Sequence, residues 1–308
     1  MVSLPPVLEA SRARPLRPRL ASVRGYVALT KPRIIELLLV TTLPTMFVAR
    51  RGVPAVGLIL ATLGGGALAA GGANAFNMVA DSDIDRVMNR TRRRPLVTGE
   101  MTRPAAVVFA AALEAVAFVE LWLAVNLLSA VLALSATLFY VFVYTLWLKR
   151  STTQNIVIGG AAGAVPVLVG WSAVTGSLGW APVILFGLIF LWTPPHFWAL
   201  AIRYSDDYRA AKVPMLPAVA SFSRTTRQIL LYTVVLVAAS LVFAPLAHMG
   251  VVYVLTAAGA GALYIVRAFR LRRDDSPRAA MSLFHYSITY LSLLFASMAV
   301  DVLVRVRF

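Results

Sequence analysis

Apolar stretches of about twenty residues recur along almost the whole chain, and no other feature constrains the fold as strongly. A helix of that length crosses the roughly 30 Å hydrocarbon core of a bilayer. Nine such spans can be read, at about 33–49, 54–80, 104–124, 127–147, 154–174, 180–202, 227–246, 250–268 and 281–304. The runs are continuous rather than alternating, which excludes lipid-exposed strands. Only 14% of the residues are charged and mean hydropathy is +0.78, against about 25% charged in an average soluble domain. That sets aside the two soluble domains that 308 residues could otherwise form. The expected fold class is an all-α polytopic membrane protein: a basic tail over residues 1–30 and one membrane domain over 31–308.

Charge sets the expected orientation. The chain has 29 Lys and Arg against 13 Asp and Glu. Threading the nine spans leaves only Arg50, Arg51, Arg305 and Arg307 on the side opposite the N-terminus. The positive-inside rule then expects a cytoplasmic N-terminus, an outside C-terminus and a multi-pass protein of the cell inner membrane. The basic surplus suits anionic lipid, and no basic soluble domain exists to bind nucleic acid. Residues 1–30 are Arg-rich with Glu9 as the only acid, a composition that also fits a mitochondrial transit peptide; a disordered or interfacial cytoplasmic tail is the reading adopted. The absence of cysteine excludes disulfides, thiolate catalysis and thiolate metal sites.

Two short junctions, "AVNLL" and "AHMGV", predict tight helical hairpins over 104–147 and 227–268. The two longest inner loops follow spans 2 and 6 and should share a face. They lie four spans apart, an even number, which suggests two parallel pseudo-repeats at about 31–150 and 151–280 followed by a last helix. "GGGALAAGG" (64–72) and "GGAAGAVP" (159–166) supply small residues for close helix packing.

The segment "NAFNMVADSDIDRVMNRTRRRPL", residues 74–96, sits at the mouth of span 2. Asn77, Asp81 and Asp85 are spaced by four, which places them on one helical face about a turn apart. Like charges at that spacing, beside an apolar core, are destabilising. A divalent cation would relieve the repulsion, and Mg²⁺ suits few carboxylates because it retains waters and shares phosphate oxygens. Asp83 points elsewhere on such a helix. Arg90, Arg92, Arg93 and Arg94 follow, and guanidinium groups grip phosphate oxygens bidentately. Acids for metal plus arginines for phosphate describe a diphosphate site; a plain mixed-charge loop is the simpler alternative.

Span 6 ends similarly, in "WTPPHFWALAIRYSDDYRAAKVPMLP", residues 192–217. Asp206, Asp207, Arg209 and Lys212 again mix signs. Pro194 and Pro195 predict a break or kink, and His196 follows it. A hydrogen-bonded interior histidine is its simplest role; ligation or proton handling is the alternative. Tyr204 and Tyr208 read as interfacial belt residues. "LTKPRIIE" places Lys31 and Arg33 at the inner surface, where snorkelling suffices, although Lys31 is also a candidate for diphosphate. Lys149 and Arg150 lie on the same face.

With these residues in place, the chain resembles the intramembrane prenyltransferase superfamily, and within it the branch that farnesylates protohaem IX. The resemblance covers most of residues 26–300 and rests on "LTKPR", "NMVADSDIDRVMNRTRRRPLVTG", "YTLWLKR", "TPPHFWALAIRYSDDYRAAKVPMLP" and "YSITYLSLLF". It implies nine helices around a lipid-accessible cavity with a cytoplasmic cap. It implies Mg²⁺ and an isoprenoid diphosphate on Asn77, Asp81 and Asp85, with Asp207 in a second acidic region. Position 203 is arginine, so no D-x-x-x-D ends at Asp207, and Asp206 and Asp207 both stand as candidates for a second metal. Arg90, Arg94 and Lys149 match basic positions expected to hold diphosphate. The implied substrates are farnesyl diphosphate and haem b, haem being substrate and not a redox cofactor, with His196 as an aid to its placement. Haem A synthase is an implied partner. Prenylation of an aromatic quinone precursor and membrane transport are the alternatives; transport expects inverted repeats and charges near the bilayer midplane.

Overall fold

The computed structural model describes residues 22–304, and every regular element among them is helical. In order these are α1 (Val23–Thr30), α2 (Pro32–Arg50), α3 (Val56–Ala80), α4 (Ser82–Val87), α5 (Pro95–Thr98), α6 (Arg103–Ala124) and α7 (Leu127–Leu138). A π-helix (Phe139–Leu148) and a last turn, α8 (Lys149–Ser151), extend α7. Then follow α9 (Asn155–Thr175), α10 (Trp180–Arg203), α11 (Ser205–Ala210), α12 (Leu216–Val219), α13 (Phe222–Leu246), α14 (Val251–Leu271) and α15 (Pro277–Val304). Eight helices, counting α7 to α8 as one, are long and apolar enough to cross a bilayer, and α1 with α2 makes a ninth, bent by 55°. The spans expected from hydropathy agree closely with these bounds. Most of the basic tail, with Arg305 and Arg307, lies outside the described residues; its last eight residues form α1.

Capping explains several starts. Ser22 accepts from Gly25 N at 3.1 Å, Asn126 from Ser129 N at 2.8 Å, and Ser221 from Arg224 N at 3.3 Å. Gly250 offers no side chain to α14, so Asp301 of α15 reaches across and accepts from Gly250 N (2.6 Å) and Tyr253 N (3.2 Å). Asn126 closes the first expected hairpin and also donates to Ser172 O of α9 at 2.8 Å. Both short junctions do turn helices back on each other: α6 packs on α7, and α13 on α14.

Pro194 and Pro195 do not break α10, which runs continuously through both. Each proline removes one backbone hydrogen bond, and such losses are tolerated where neighbouring helices enclose the segment. Here Thr193, Pro194, Pro195 and His196 are all buried, and Thr193 Oγ1 donates to Ile189 O at 2.9 Å.

In lipid, helices associate through close packing more than through apolar burial. The main packed core spans α9, α10, α13, α14 and α15. Gly170 is the tightest backbone approach: a Cβ there would lie 2.8 Å from Thr42 O of α2. Gly163, on the same helix, has open space. Gly170→Ala is therefore expected to destabilise the fold by about 1–3 kcal/mol, lowering the melting temperature in detergent, while Gly163→Ala leaves it unchanged. Equal melting temperatures for the two variants would contradict this packing.

Candidate active site

The site lies where α3 ends. Asp81 caps α3, its N–H donating to Asn77 O at 2.9 Å, and Asp85 N in α4 donates to Asp81 O at 2.9 Å. The helical path thus survives the junction, and the three residues stay a turn apart. An acid at a helix C-terminus meets the negative end of the macrodipole, so cations are favoured beside it. They are present. Arg150 Nη2 donates to Ala80 O at 3.0 Å and Arg103 Nη2 to Val79 O at 3.4 Å.

Every acid of the first mouth is clasped by a base. Lys149 Nζ donates to Asp81 Oδ2. Arg94 Nη1 meets Asp85 Oδ2 at 2.6 Å. Arg150 grips Asp83 with both nitrogens, at 2.7 and 2.8 Å. Asp83 does point elsewhere, as its spacing suggests: its side chain is largely exposed, whereas Asp81 and Asp85 are buried. The Arg150 guanidinium holds the Asp83 carboxyl well below the usual carboxylate range. A depressed native pKa contributes stability that is fully present above the unfolded value of about 3.9 and fades as pH falls towards the native one.

Asn77 joins the network. It accepts from Lys31 Nζ at 2.7 Å and donates through Nδ2 to Asp81 Oδ2 and to Thr145 Oγ1, both at 2.9 Å. Lys31 reaches it because the chain takes a left-handed turn there, φ 52°, between α1 and α2. Such a backbone is costly for a residue other than glycine. Arg94 and Asp85 also lie within electrostatic reach of Lys31.

The two charged mouths meet. Asp207 of α11 accepts from Asn89 Nδ2 at 3.1 Å and from the backbone N–H of Arg90 at 3.2 Å. The Arg90 guanidinium lies 5.4 Å from the Tyr204 ring centre. Asp206, almost fully exposed, instead pairs with half-exposed Arg209 at 2.6 Å. Tyr208 is buried among Arg90, Arg94, Asp207 and Asp81, not placed in an interfacial belt; burial pushes its hydroxyl pKa up.

His196 stands apart from this cluster. It stacks between Trp192 (ring centres 4.1 Å apart) and Phe284 (4.6 Å), and its Nδ1 is 2.6 Å from Ser287 Oγ of α15. Thr145, Tyr208 and Asn89 are the residues that sequence reasoning missed. Thr145 lay within the quoted "YTLWLKR", but only the helical register turns it inward. Asn155, at the start of α9, is fully buried with both amide atoms unpartnered among the described residues, which usually signals a missing polar partner. A separate groove of about 490 Å³, lined by Tyr26, Pro104, Ala105, Val108, Phe109 and Ala112, holds no charged side chain and offers nothing to a phosphate.

A metal must be tested against these residues. Among the described residues no three carboxylate or imidazole groups converge to hold an ion alone. Yet Asp81 Oδ1 is buried with no hydrogen-bond partner and faces Arg150 Nη2 only at 4.0 Å. An orphaned carboxylate oxygen flanked by a second buried acid fits an ion that draws its other oxygens from water and phosphate, as Mg²⁺ does.

Comparison with known proteins supplies the family. The model of the UbiA prenyltransferase family matches residues 38–293. The chain belongs to this family. It is 55% identical to the protoheme IX farnesyltransferase of Cutibacterium acnes over 298 residues, covering 94% of this chain and 88% of that one. Its fold is that of a structure described as digeranylgeranylglyceryl phosphate synthase, at TM-score 0.75 and 18% identity over 91% of this chain and 98% of the other. It is also similar to a UbiA homologue from Archaeoglobus fulgidus bound to GPP and Mg²⁺, at TM-score 0.64 and 16% identity over 89% of this chain and 99% of that one. Membership of the UbiA family makes this multi-pass chain a prenyltransferase and sets the transporter reading aside.

The Asp207 contact has a direct consequence. Asp207→Ala should raise hydrogen exchange at the Arg90 amide at least tenfold, while Asp206→Ala leaves it unchanged. Equal protection in both variants, measured by exchange mass spectrometry on the 88–94 segment, would show that Asp207 does not hold this loop.

Proposed function

We propose that this UbiA-family chain transfers a farnesyl group from farnesyl diphosphate to a vinyl carbon of haem b, giving haem O. The high identity to a protoheme IX farnesyltransferase supports the substrate pair. The observation that carries the chemistry is the free, buried Asp81 Oδ1 within a ring of cations. Asn77, Asp81 and Asp85 would hold Mg²⁺, and Asp207, Asp206 or both, from the second mouth, would serve a second ion. Bound there with the diphosphate, Mg²⁺ supplies charge neutralisation of the leaving group.

Arg90, Arg94, Lys149 and Lys31 would exchange partners when substrate arrives. Lys149 and Arg94 now neutralise Asp81 and Asp85; with a cation on those acids, both bases are released to phosphate oxygens at no loss of pairing. The C1–O bond of the farnesyl group then breaks, its electron pair leaving with diphosphate. C1, cation-like, is attacked by the vinyl π-bond, and a C–C bond forms. Water adds to the neighbouring carbon and loses a proton, giving the hydroxyethylfarnesyl side chain. Buried Tyr208 and the stacked Tyr140–Tyr144 pair, 5.4 Å apart, help exclude water before that step, since early hydration yields farnesol. His196 would help seat the porphyrin.

The same reading places the protein in the cell inner membrane, with the charged mouths and N-terminus cytoplasmic and the C-terminus outside, and makes haem A synthase a partner. It treats 31–150 and 151–280 as related halves, since α3 and α10 each run into a short acidic helix.

Purified protein given farnesyl diphosphate, haem b, an aromatic quinone precursor and Mg²⁺ should yield haem O by mass spectrometry, and EDTA should stop it. Asp81→Asn should abolish turnover in folded protein. Arg94→Ala should raise KM for the prenyl donor about 10- to 100-fold, the equivalent of losing one charged hydrogen bond. A prenylated quinone precursor as the sole product would replace the acceptor, and full activity of Asp81→Asn would remove the metal assignment.

A further inference from the structure

We propose that Asn155, at the start of α9, seats the water molecule that adds to the prenylated vinyl group. This rests on the farnesyl-transfer reading above and deepens it, by naming the residue that holds the third reactant.

Asn155 is fully buried, and neither its Oδ1 nor its Nδ2 has a hydrogen-bond partner among the described residues. Asn74 and Asn77, also buried, do make such bonds: Asn74 donates to Thr30 O and Asn77 to Asp81 and Thr145. An amide kept only for packing would be satisfied in the same way, because an unpaired buried polar group is costly. The backbone sets the depth of Asn155. Thr152 N donates to Leu148 O at 3.1 Å and Asn155 N to Thr152 O at 3.3 Å. This tight turn starts α9 at the level where α8 ends, and α9 packs on both α8 and the π-helix. Gly159 fixes the direction. A Cβ there would collide with the Tyr144 ring, and residues four apart share a helical face. Asn155 is thus on the face of α9 that looks to the π-helix. Tyr144 in turn lies within electrostatic reach of Asp81, Arg90 and Tyr208. The free amide therefore stands at the wall of the chamber where the two charged mouths meet.

The reaction needs water once and must refuse it before. While C1 is cation-like, any free water there gives farnesol. Once the C–C bond has formed, the positive charge lies on the neighbouring vinyl carbon. A water held in place gives a lone pair to that carbon, and its proton passes to the departed diphosphate. A carboxylate or imidazole at this point would also act as a base towards the carbon skeleton. It would strip a proton from the carbon just joined to farnesyl and leave an alkene. An amide is neutral, accepts through Oδ1 and donates through Nδ2, so it can orient water without removing protons from carbon. Buried waters typically sit on such otherwise unpaired polar groups. One polar pole in a wall of tyrosine rings confines water to a single position.

Two variants test this: Asn155→Leu, which keeps the volume and offers no polar atom, and Asn155→Ser, which keeps a donor and acceptor and leaves room for water. Each is purified beside the native protein and given farnesyl diphosphate, haem b and Mg²⁺. Porphyrin products are resolved by mass, with diphosphate release and melting temperature read in parallel. Native protein should give haem O. Asn155→Leu should still release diphosphate and still join farnesyl to the porphyrin. Its uncaptured cation then sheds a proton to diphosphate, giving an alkene lighter than haem O by one water. The ratio of alkene to haem O should rise at least about tenfold, the equivalent of losing one hydrogen bond. Asn155→Ser should return the ratio towards the native one. A purely structural role would lower the melting temperature and the total yield without moving this ratio. Should Asn155→Leu not fold, Asn155→Val carries the same expectation. Haem O as the sole product of the apolar variant would overturn the proposal, as would an Asn155→Ser that forms as much alkene. A folded apolar variant that releases no diphosphate would overturn it too, since the residue would then serve the earlier step. Native protein that yields no farnesylated porphyrin would instead sink the farnesyl-transfer reading itself.

Discussion

A carboxylate at the C-terminus of a membrane helix is the constraint on which the site depends. Asp81 is buried, faces the negative end of the α3 dipole and lies at the rim of an apolar bundle. Each circumstance disfavours its charge. Removing one partner of a buried pair typically costs about 3–5 kcal/mol, so the chain must surround Asp81 with donors. It does so from distant parts of the sequence: Asn77 of α3 and Lys149 of α8 donate to the carboxylate, Arg150 stands 4.0 Å from it, and Lys31 and Thr145 in turn hold the Asn77 amide. The surroundings that make the acid tolerable also leave one of its oxygens open.

The bilayer as solvent shapes the rest. Apolar burial does not drive helices together in lipid, so the bundle relies on tight backbone approaches such as Gly170 on Thr42 and on cross-helix polar contacts such as Asp301 on the start of α14. The charged network of the candidate site gathers at one end, among α4, α8, α11 and the Asn89–Arg94 segment. Direct contact between Asp207 and the Asn89–Arg90 segment ties the two charged mouths into one site.

Much of this was legible in the sequence because the signals are long or periodic. Twenty-residue apolar runs located the spans, and the four-residue spacing of Asn77, Asp81 and Asp85 survived even a helix junction. What escaped depends on register or tertiary enclosure. Nothing in "FYVFVYTLWL" announces a π-helix, so the inward turn of Thr145 could not be read. Pro194 and Pro195 suggested a break because local rules treat proline alone, whereas α10 is enclosed by α9, α13 and α15. Tyr208 looked like a belt residue because its neighbours are polar, but those neighbours fold over it.

The central claim is that Asp81 offers an oxygen to a cation that shares the prenyl diphosphate. Its most direct measurement is a structure of the protein with Mn²⁺ and farnesyl thiodiphosphate, using anomalous scattering to find the metal. The expected result is an ion about 2.1 Å from Asp81 Oδ1, with the diphosphate between it and Arg94 and Lys149. Metal and diphosphate bound together elsewhere, with Lys149 still seated on an Asp81 that touches no ion, would contradict the account.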